Sequence, residues 1–428
     1  MIALFDLFYQ SEGICTDTRN IRINALFVAL KGDNFDGNDY VLHALDAGAK
    51  FAISQRAELA DNKRIFYVDN CLVFLQKLAN FHRKKFDIPV IGITGSNGKT
   101  TTKELVQAVL SVRFNCLCTK GNLNNHLGVP FTLLELNEQH QIAVIEMGAN
   151  KLGDIQELVA IAEPTHGIIT GIGAAHIEGF GSLDGVINTK SELYDFLKIN
   201  SGTVFINDDD PVLKKQLGNY FNRFTYGLGD NNQVQGKITE MNPFLYFSWH
   251  RKSNLVQKVH SKMVGSYNLI NFLCAAAVGV HFGIPDEQIS ISLCSYTPSN
   301  NRSQITKTAS NTVIMDAYNA NVTSMNAALQ SFMEINHRHK CVILGDMREL
   351  GALSDAAHQQ VVDFLRGKDW GVYLVGSEFA KTIRSSKFKH FDSTKSLMDF
   401  LVDHSIKDAL VLIKGSRGIA LEQVLAHL

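Results

Sequence analysis

The sequence predicts an α/β chain of three domains: an N-terminal block, a larger central block on a mostly parallel sheet, and a C-terminal block. Three observations carry this. Apolar strand-length runs alternate with helix-period patterns over about 85–298, and again over 299–428. Residues 1–84 hold shorter strands closed by one helical pattern. The polar run Thr297-Pro298-Ser299-Asn300-Asn301 reads as a linker between the second and third blocks.

In the first block the strands fall at Ala25–Leu30, Phe51–Ser54 and Ile65–Val68. Leu72, Leu75, Leu78 and Ala79 then recur at helical spacing as far as Phe81. The second block starts after Ile88-Pro89. Its strands are Val90–Ile93, Ile142–Ile145, Gly167–Thr170 and Thr203–Ile206, with helices starting near Thr100, Leu152 and Asp184. That alternation predicts parallel pairing with both faces covered. Residues 230–260 are more β-like and polar, and a small-residue helix, Asn268 to Val280, follows. The third block places strands at Val313–Met315, Val342–Leu344, Val372–Val375 and Leu410–Ile413, each with a helical pattern behind it.

Composition narrows the function classes. The 428 residues are 45 % hydrophobic and 19 % charged, enough for several cores, and 41 basic against 42 acidic residues give a net charge of −1. No basic excess points to a nucleic-acid partner. The opening MIALFDLFYQSEG lacks a basic stretch, so it does not read as a signal peptide. The most apolar run, Phe272 to Val280, is far short of the roughly 18–20 residues that span a bilayer. Seven cysteines without Cys-x-x-Cys spacing read as reduced packing residues. A cytoplasmic chain with no membrane partner is expected.

Residues 92–104, GITGSNGKTTTKE, run from an apolar strand into a helix. Gly95 and Gly98 let the backbone turn its N–H groups inward around Ser96 and Asn97. Lys99 adds an ammonium, and Thr100, followed by Thr101, adds a hydroxyl. Such donors at a helix N-terminus suit a nucleotide triphosphate with Mg²⁺. Ile93 stands where the general phosphate-loop pattern wants its first glycine, so a narrower class than ATPases at large is indicated. Ligands of open α/β sheets bind at carboxyl strand ends. Glu146 ends Ile142–Ile145 and is a natural Mg²⁺ ligand. GIGAAHIEGFGS after Gly167–Thr170 places His176 and Glu178 in a glycine-flanked loop. Lys190 lies in the helix Asp184–Lys198. As a free ammonium 4 Å from a divalent cation it would be repelled by roughly 4 kcal/mol per unit charge at an effective dielectric of 20. As a carbamate it would become an oxygen ligand.

Taken with CTDTRNIRINALFVALKGDNFDGNDY, GNLNNHLGVPFTLL, IEMGAN, GSYNLINFLCAAAVG, DAYNAN, LGDMRELG and KGSR, these motifs resemble the Mur ligases through nearly the whole chain. Those enzymes are the ATP-dependent amide ligases of peptidoglycan precursor synthesis. LGDMRELG, with no DNPR motif, favours the member that joins D-alanyl-D-alanine to UDP-N-acetylmuramoyl-tripeptide. The resemblance implies a Rossmann-like third domain that closes on ATP and binds the dipeptide, an acyl-phosphate route, a monomer, and two Mg²⁺. It places the β/γ-phosphates on Lys99, one metal on Thr100 and Glu146, and the other on His176 and a carbamylated Lys190. Asn122, Asn124 and Asn125 would lie near the transferred phosphate and the UDP-sugar peptide. Asn268 and Asn271 would meet adenine, while Ala275, Ala276 and Ala277 in the same helix serve close packing. Arg302 would reach the ATP phosphates on closure and Asp316 the ribose. Thr16, Asp17, Thr18 and Arg19 would read the uridine diphosphate, with Arg19 alternatively a salt-bridged surface residue. Closure is expected to hinge near Pro298–Asn301.

The chain departs from the family pattern at Gly171 (Asn is usual), Val322 (Pro), Asn38 (His) and Thr18 (Ser). Competing readings are a Mur or folylpolyglutamate-type ligase with another amino-acid acceptor, a kinase, and a non-ligating, nucleotide-switched binding protein.

Overall fold

The computed structural model describes residues 2–173, 177–252, 255–382 and 388–428. The chain forms two compact units. One comprises 1–93, 114–149 and 153–166, and the other 94–113, 150–152 and 167–428.

The first unit holds a parallel four-stranded sheet in the order β1 (Ile14–Cys15), β2 (Leu26–Val28), β3 (Phe51–Ser54), β4 (Ile65–Tyr67). Helix Cys71–Arg83 begins where the Asn70 side chain accepts the Val73 N–H at 3.0 Å. It buries Leu75, Leu78 and Ala79 of the repeat read from sequence together with Cys71 and Phe74, while Leu72 is only half-buried. Helix Ile2–Tyr9, absent from the sequence expectations, adds Phe5 and Phe8 to that core. Three further parallel strands complete the unit, with β7 (Ile142–Glu146) between β5 (Val90–Thr94) and β6 (Cys116–Cys118). All five residues of β5 and of β7 are buried, as expected for strands covered on both faces.

In the second unit, β8 (His166–Ile169), β9 (Thr203–Asn207), β10 (Arg223–Gly227), β11 (Val234–Met241), β12 (Phe244–Arg251) and β13 (Gln257–Val264) lie in sequence order. Pairing is parallel through β11 and antiparallel beyond, which resolves the β-like 230–260 stretch into hairpins. Helix Lys99–Leu110 packs on helix Asn268–His281. A Cβ at Gly279 would stand 2.6 Å from Val109 Cγ1, and Ala275, Ala276 and Ala277 are fully buried. Small side chains let these two helices approach.

The remainder of this unit carries a six-stranded sheet in the order β14 (Gln304–Lys307), β15 (Thr312–Asp316), β19 (Leu410–Lys414), β16 (Lys340–Gly345), β17 (Gly371–Val375), β18 (Lys389–Phe391). Only the edge pair β14–β15 is antiparallel. Separate apolar cores, around Phe332 and Leu344 and around Leu397 and Ile413, accompany this sheet. The four expected strands are found within a residue or two. β14 and β18 escaped notice because neither is a continuous apolar run.

Candidate active site

The glycine-rich loop Gly95–Thr101 lies in the second unit. Gly95 adopts φ +144°, and a Cβ there would stand 2.1 Å from the Thr170 hydroxyl, so both the backbone angle and the space require glycine. Gly98, at φ +81°, caps the helix that starts at Lys99, and a Cβ there would meet Asn271 Oδ1 at 2.8 Å. The loop backbone is thus packed tightly against the Thr170 and Asn271 side chains, and it leads into a helix N-terminus, a chemistry that suits anions. The loop is braced on the strand end after β8. Ser96 Oγ donates to Gly173 O (2.9 Å) and accepts from Gly173 N (3.0 Å). Thr170 Oγ1 donates to Asn97 O at 2.5 Å. Lys99 Nζ donates to Gly95 O (2.5 Å) and Ser96 O (3.4 Å), holding its charge on the loop. Thr100, Thr101 and Thr102 are buried.

In the first unit, Glu146 ends β7 and is 1 % exposed. Asn124 Nδ2 donates to its Oε1 at 2.8 Å, and its own N–H donates to Thr119 Oγ1. Asn125 does different work: its Oδ1 accepts from the Leu127 and Gly128 N–H groups at the start of helix Gly128–Leu133. Asn122 is exposed, and its carbonyl accepts the Asn124 N–H at 2.8 Å. The three asparagines thus divide into one that holds the carboxylate, one that holds a helix start and one presented to solvent.

Lys190 sits mid-helix in Leu183–Ile199, 2 % exposed, with Nζ 5.6 Å from the centre of the Phe180 ring. Glu178, two residues before Phe180, is exposed beside Gly351. His176 lies outside the described residues. Among those described, no three His, Cys, Asp or Glu side chains gather as a metal cage. Thr100 Oγ1 in the second unit and the Glu146 carboxylate in the first are, each by itself, hard oxygen donors of the class Mg²⁺ takes.

The asparagines expected at adenine are both committed to protein partners. Asn271 Nδ2 donates to Asn268 Oδ1 (3.0 Å), and Asn271 Oδ1 accepts from Thr102 Oγ1 (3.1 Å). Asn268 Nδ2 donates to Val264 O (2.7 Å) and Ser303 Oγ (3.3 Å). Asp316, at the end of β15, accepts from Lys414 Nζ at 2.6 Å and from the Ser303 N–H at 3.1 Å. Arg302 lies over the Tyr318 ring, its guanidinium carbon 3.8 Å from the centre.

Thr16, Asp17 and Thr18 are half-buried, and Arg19 is exposed. Asp17 caps the short 3₁₀ turn Thr18–Asn20 and is forked by Arg19, whose Nη2 lies 2.7 Å from Oδ2. The Arg19 side-chain hydrogen bond holds the Asp17 carboxyl down at about 2. This is the salt-bridged arrangement for Arg19.

Two features went unread in the sequence. Asn321 starts helix Val322–Glu334 with a capping box and donates through Nδ2 to Asn97 Oδ1 at 2.8 Å, so the third block touches the phosphate loop. Glu104, one turn into the loop's own helix, accepts from Tyr296 Oη (2.6 Å) and Asn300 Nδ2 (2.9 Å), clasping the linker. The Asn-x-x-Ser spacing at Asn321 announces the cap, but nothing local announces a partner more than 200 positions away.

Comparison with known proteins agrees with these motifs. Residues 10–83 match the model "Mur ligase family, catalytic domain", 93–279 "Mur ligase middle domain", and 301–417 "Mur ligase, glutamate ligase domain". The UDP-N-acetylmuramoyl-tripeptide–D-alanyl-D-alanine ligases of Bacillus subtilis and Escherichia coli are each 33 % identical, over 97 % of this chain and 93 % of theirs. Among solved structures, MurF from Acinetobacter baumannii superposes with a TM-score of 0.89 at 30 % identity, covering 99 % of this chain and 97 % of that one. MurF from Thermotoga maritima in complex with ADP gives the same TM-score at 28 % identity, with the same coverage. The chain belongs to the Mur ligase family, in its UDP-N-acetylmuramoyl-tripeptide–D-alanyl-D-alanine ligase branch.

Proposed function

We propose that this chain is an ATP-dependent, ADP-forming ligase that joins D-alanyl-D-alanine to UDP-N-acetylmuramoyl-tripeptide in peptidoglycan precursor synthesis. The observation that carries the reading is the loop Gly95–Thr101, a glycine cradle with Lys99 at its lip, in a chain similar to such ligases over 97 % of its length.

ATP would phosphorylate the terminal carboxylate of the tripeptide. The dipeptide amine would then attack the acyl phosphate, and phosphate would leave as the amide forms. Each stage gathers negative charge between phosphate and carboxylate, so preset cations and N–H donors give the largest stabilisation. Gly95, Ser96, Asn97, Gly98 and Thr101 would cradle the phosphates and Lys99 would neutralise them. Thr100 and Glu146 would hold one Mg²⁺, and His176 with a carbamylated Lys190 a second. Bound there, the ions would offset the charge that builds up on the transferring phosphoryl group. Asn124 would orient Glu146, and Asn122 and Asn125 would lie along the peptide. Thr16 to Arg19 would face the uridine diphosphate. Asn268 and Asn271 would border adenine through the backbone they rigidify, and Asp316 would meet the ribose after exchanging Lys414.

In this reading residues 1–84 bind the UDP substrate, 85–298 bind ATP, and 299–428 close on ATP and receive the dipeptide. The enzyme acts as a cytoplasmic monomer. Among the described residues no helix is long and apolar enough to cross a membrane. A single-turnover reaction with ATP, the UDP-tripeptide and D-alanyl-D-alanine, read by mass spectrometry, should give the UDP-pentapeptide and one ADP per product. ADP release with glutamate or another amino acid, and none with the dipeptide, would overturn this in favour of a different acceptor. Binding of nucleotide without any product would favour a switch protein.

A further inference from the structure

One buried pair at the carboxyl end of β16 has no part in the chemistry above: Asp346, 4 % exposed, and His358, 0 % exposed. The Asp346 carboxylate accepts from the Phe379 N–H at Oδ1 and the Glu378 N–H at Oδ2, both at 3.0 Å, where helix Ser377–Thr382 begins. Gly376 leaves it room, since a Cβ there would stand 2.2 Å from Oδ2. The Asp346 carbonyl accepts the Ser416 N–H (3.1 Å) and its own N–H donates to Val375 O (3.0 Å), so one residue ties the ends of β16, β17 and β19. His358 lies edge-on to the Phe379 ring. Its Nε2 accepts the Met347 N–H at 3.0 Å and its Nδ1 donates to Ser354 O at 2.7 Å, which fixes a neutral imidazole and its tautomer. Asp346 Oδ1, 3.9 Å from Nε2, is too far for a hydrogen bond.

A buried carboxylate and imidazole cost free energy unless their polar atoms are matched, and here the matching holds the segment Met347–Gly351. The Arg348 N–H donates to Ser416 Oγ at 2.9 Å, Leu350 is buried, and Glu349 takes φ +65°, a backbone angle uncommon outside glycine. The segment ends against helix Ile177–Phe180: a Cβ at Gly351 would lie 3.7 Å from Glu178 Cβ, and Lys190 Nζ is 5.6 Å from the centre of the Phe180 ring. We propose that Asp346 and His358 are positioning residues for amide formation. They set Met347–Gly351, on which Arg348 and Glu349 are exposed, as the edge along which the dipeptide amine meets the activated carboxylate. The inference rests on the functional reading above. The dipeptide rather than the nucleotide is the ligand concerned, because the expected nucleotide residues Arg302 and Asp316 lie at β14 and β15, and β19 stands between β15 and β16.

The test uses the full chain and three variants. A glutamine amide oxygen reaches about where histidine Nε2 does and an asparagine oxygen where Nδ1 does, so His358→Gln keeps an acceptor for the Met347 N–H and His358→Asn loses it. Asp346→Asn turns one of two accepting oxygens into a donor. Pentapeptide formation is followed at varied D-alanyl-D-alanine, hydroxamate formation with hydroxylamine in place of the dipeptide, and ADP affinity by calorimetry. His358→Asn and Asp346→Asn should each lower kcat with the dipeptide about ten- to a hundredfold, the effect of shifting a supporting backbone by up to about 1 Å. Their ADP affinity and hydroxamate formation should stay within about threefold of the parent, and His358→Gln should recover dipeptide turnover to a similar margin. Equal behaviour of the two His358 variants would overturn the proposal, as would a parallel fall in all three assays, the mark of a merely structural role. A parent chain that binds ADP but forms no pentapeptide would refute the functional reading and this proposal with it. An active parent with near-parental His358→Asn would refute the positioning pair alone.

Discussion

Gly95→Ala should damage the phosphate loop in two separable ways. The backbone at φ +144° is a conformation L-residues rarely adopt, costing about 1–3 kcal/mol. The new methyl would also stand 2.1 Å from Thr170 Oγ1, where ordinary contact begins at 3.4 Å, so hydroxyl and loop must separate by about 1.3 Å. Thr170 then gives up its bonds to Asn97 O (2.5 Å) and Thr94 O (3.3 Å), worth about 1 kcal/mol net. The total is about 2–4 kcal/mol. A displacement near 1 Å at a phosphate-holding backbone costs on the order of a hundredfold in turnover. Denaturant unfolding and ADP-release kinetics on the parent, Gly95→Ala, Thr170→Ala and the double variant form a cycle. Thr170→Ala should cost about 1 kcal/mol in the parent and close to nothing beside Gly95→Ala, because the hydroxyl bonds are already broken there. Parental stability and turnover in Gly95→Ala, or simple additivity in the cycle, would refute the steric reasoning.

Other outcomes follow from the same geometry. Lys190→Ala should lose most activity and be partly rescued by bicarbonate or short carboxylic acids; full activity in ligation assays would remove Lys190 from the chemistry. Burial holds the His82 imidazole below its ordinary value of 6.5, with Nδ1 accepting from Tyr9 Oη and Nε2 donating to Leu136 O. The unfolded chain therefore takes up this proton at a higher pH than the folded one. The contribution of neutral His82 is complete above 6.5 and is lost as pH falls through the folded value. Melting temperature should accordingly drop less on acidification in His82→Gln than in the parent, and equal drops would exclude His82 as the cause. Small-angle scattering should show a smaller radius of gyration with an ATP analogue than without, the third block turning near Pro298–Asn301. Glu104→Ala, which removes the clasp on Tyr296 and Asn300, should enlarge the nucleotide-free value, and unchanged radii would count against a hinge there.

Much of this molecule is written locally. Strand-length apolar runs such as Val90–Ile93 and Val342–Leu344 gave strands because a buried parallel sheet needs nothing more specific than continuous apolar side chains. GSNGKT announced its loop because only glycine tolerates those backbone angles and close approaches. The spacing of Leu72, Leu75, Leu78 and Ala79 gave the helix that closes the first block. Where an element is short or half-exposed, as in β14 or helix Ile2–Tyr9, periodicity had too few residues to register.

The partners of the polar side chains were another matter. The family resemblance placed Asn124 and Asn125 near the transferred phosphate and the UDP-sugar peptide, and Asn268 and Asn271 at adenine. Folding alone assigned Asn124 to a buried carboxylate, Asn125 to a helix start, and the other two to a buried chain reaching Thr102 and Ser303. Local spacing carries backbone geometry, because dihedral preference and burial period belong to neighbouring residues. A hydrogen bond or stacked cation, such as Asn97 with Asn321 or Arg302 and Arg417 on Tyr318, depends on distances between segments far apart in the chain, and only the packed tertiary structure sets those distances.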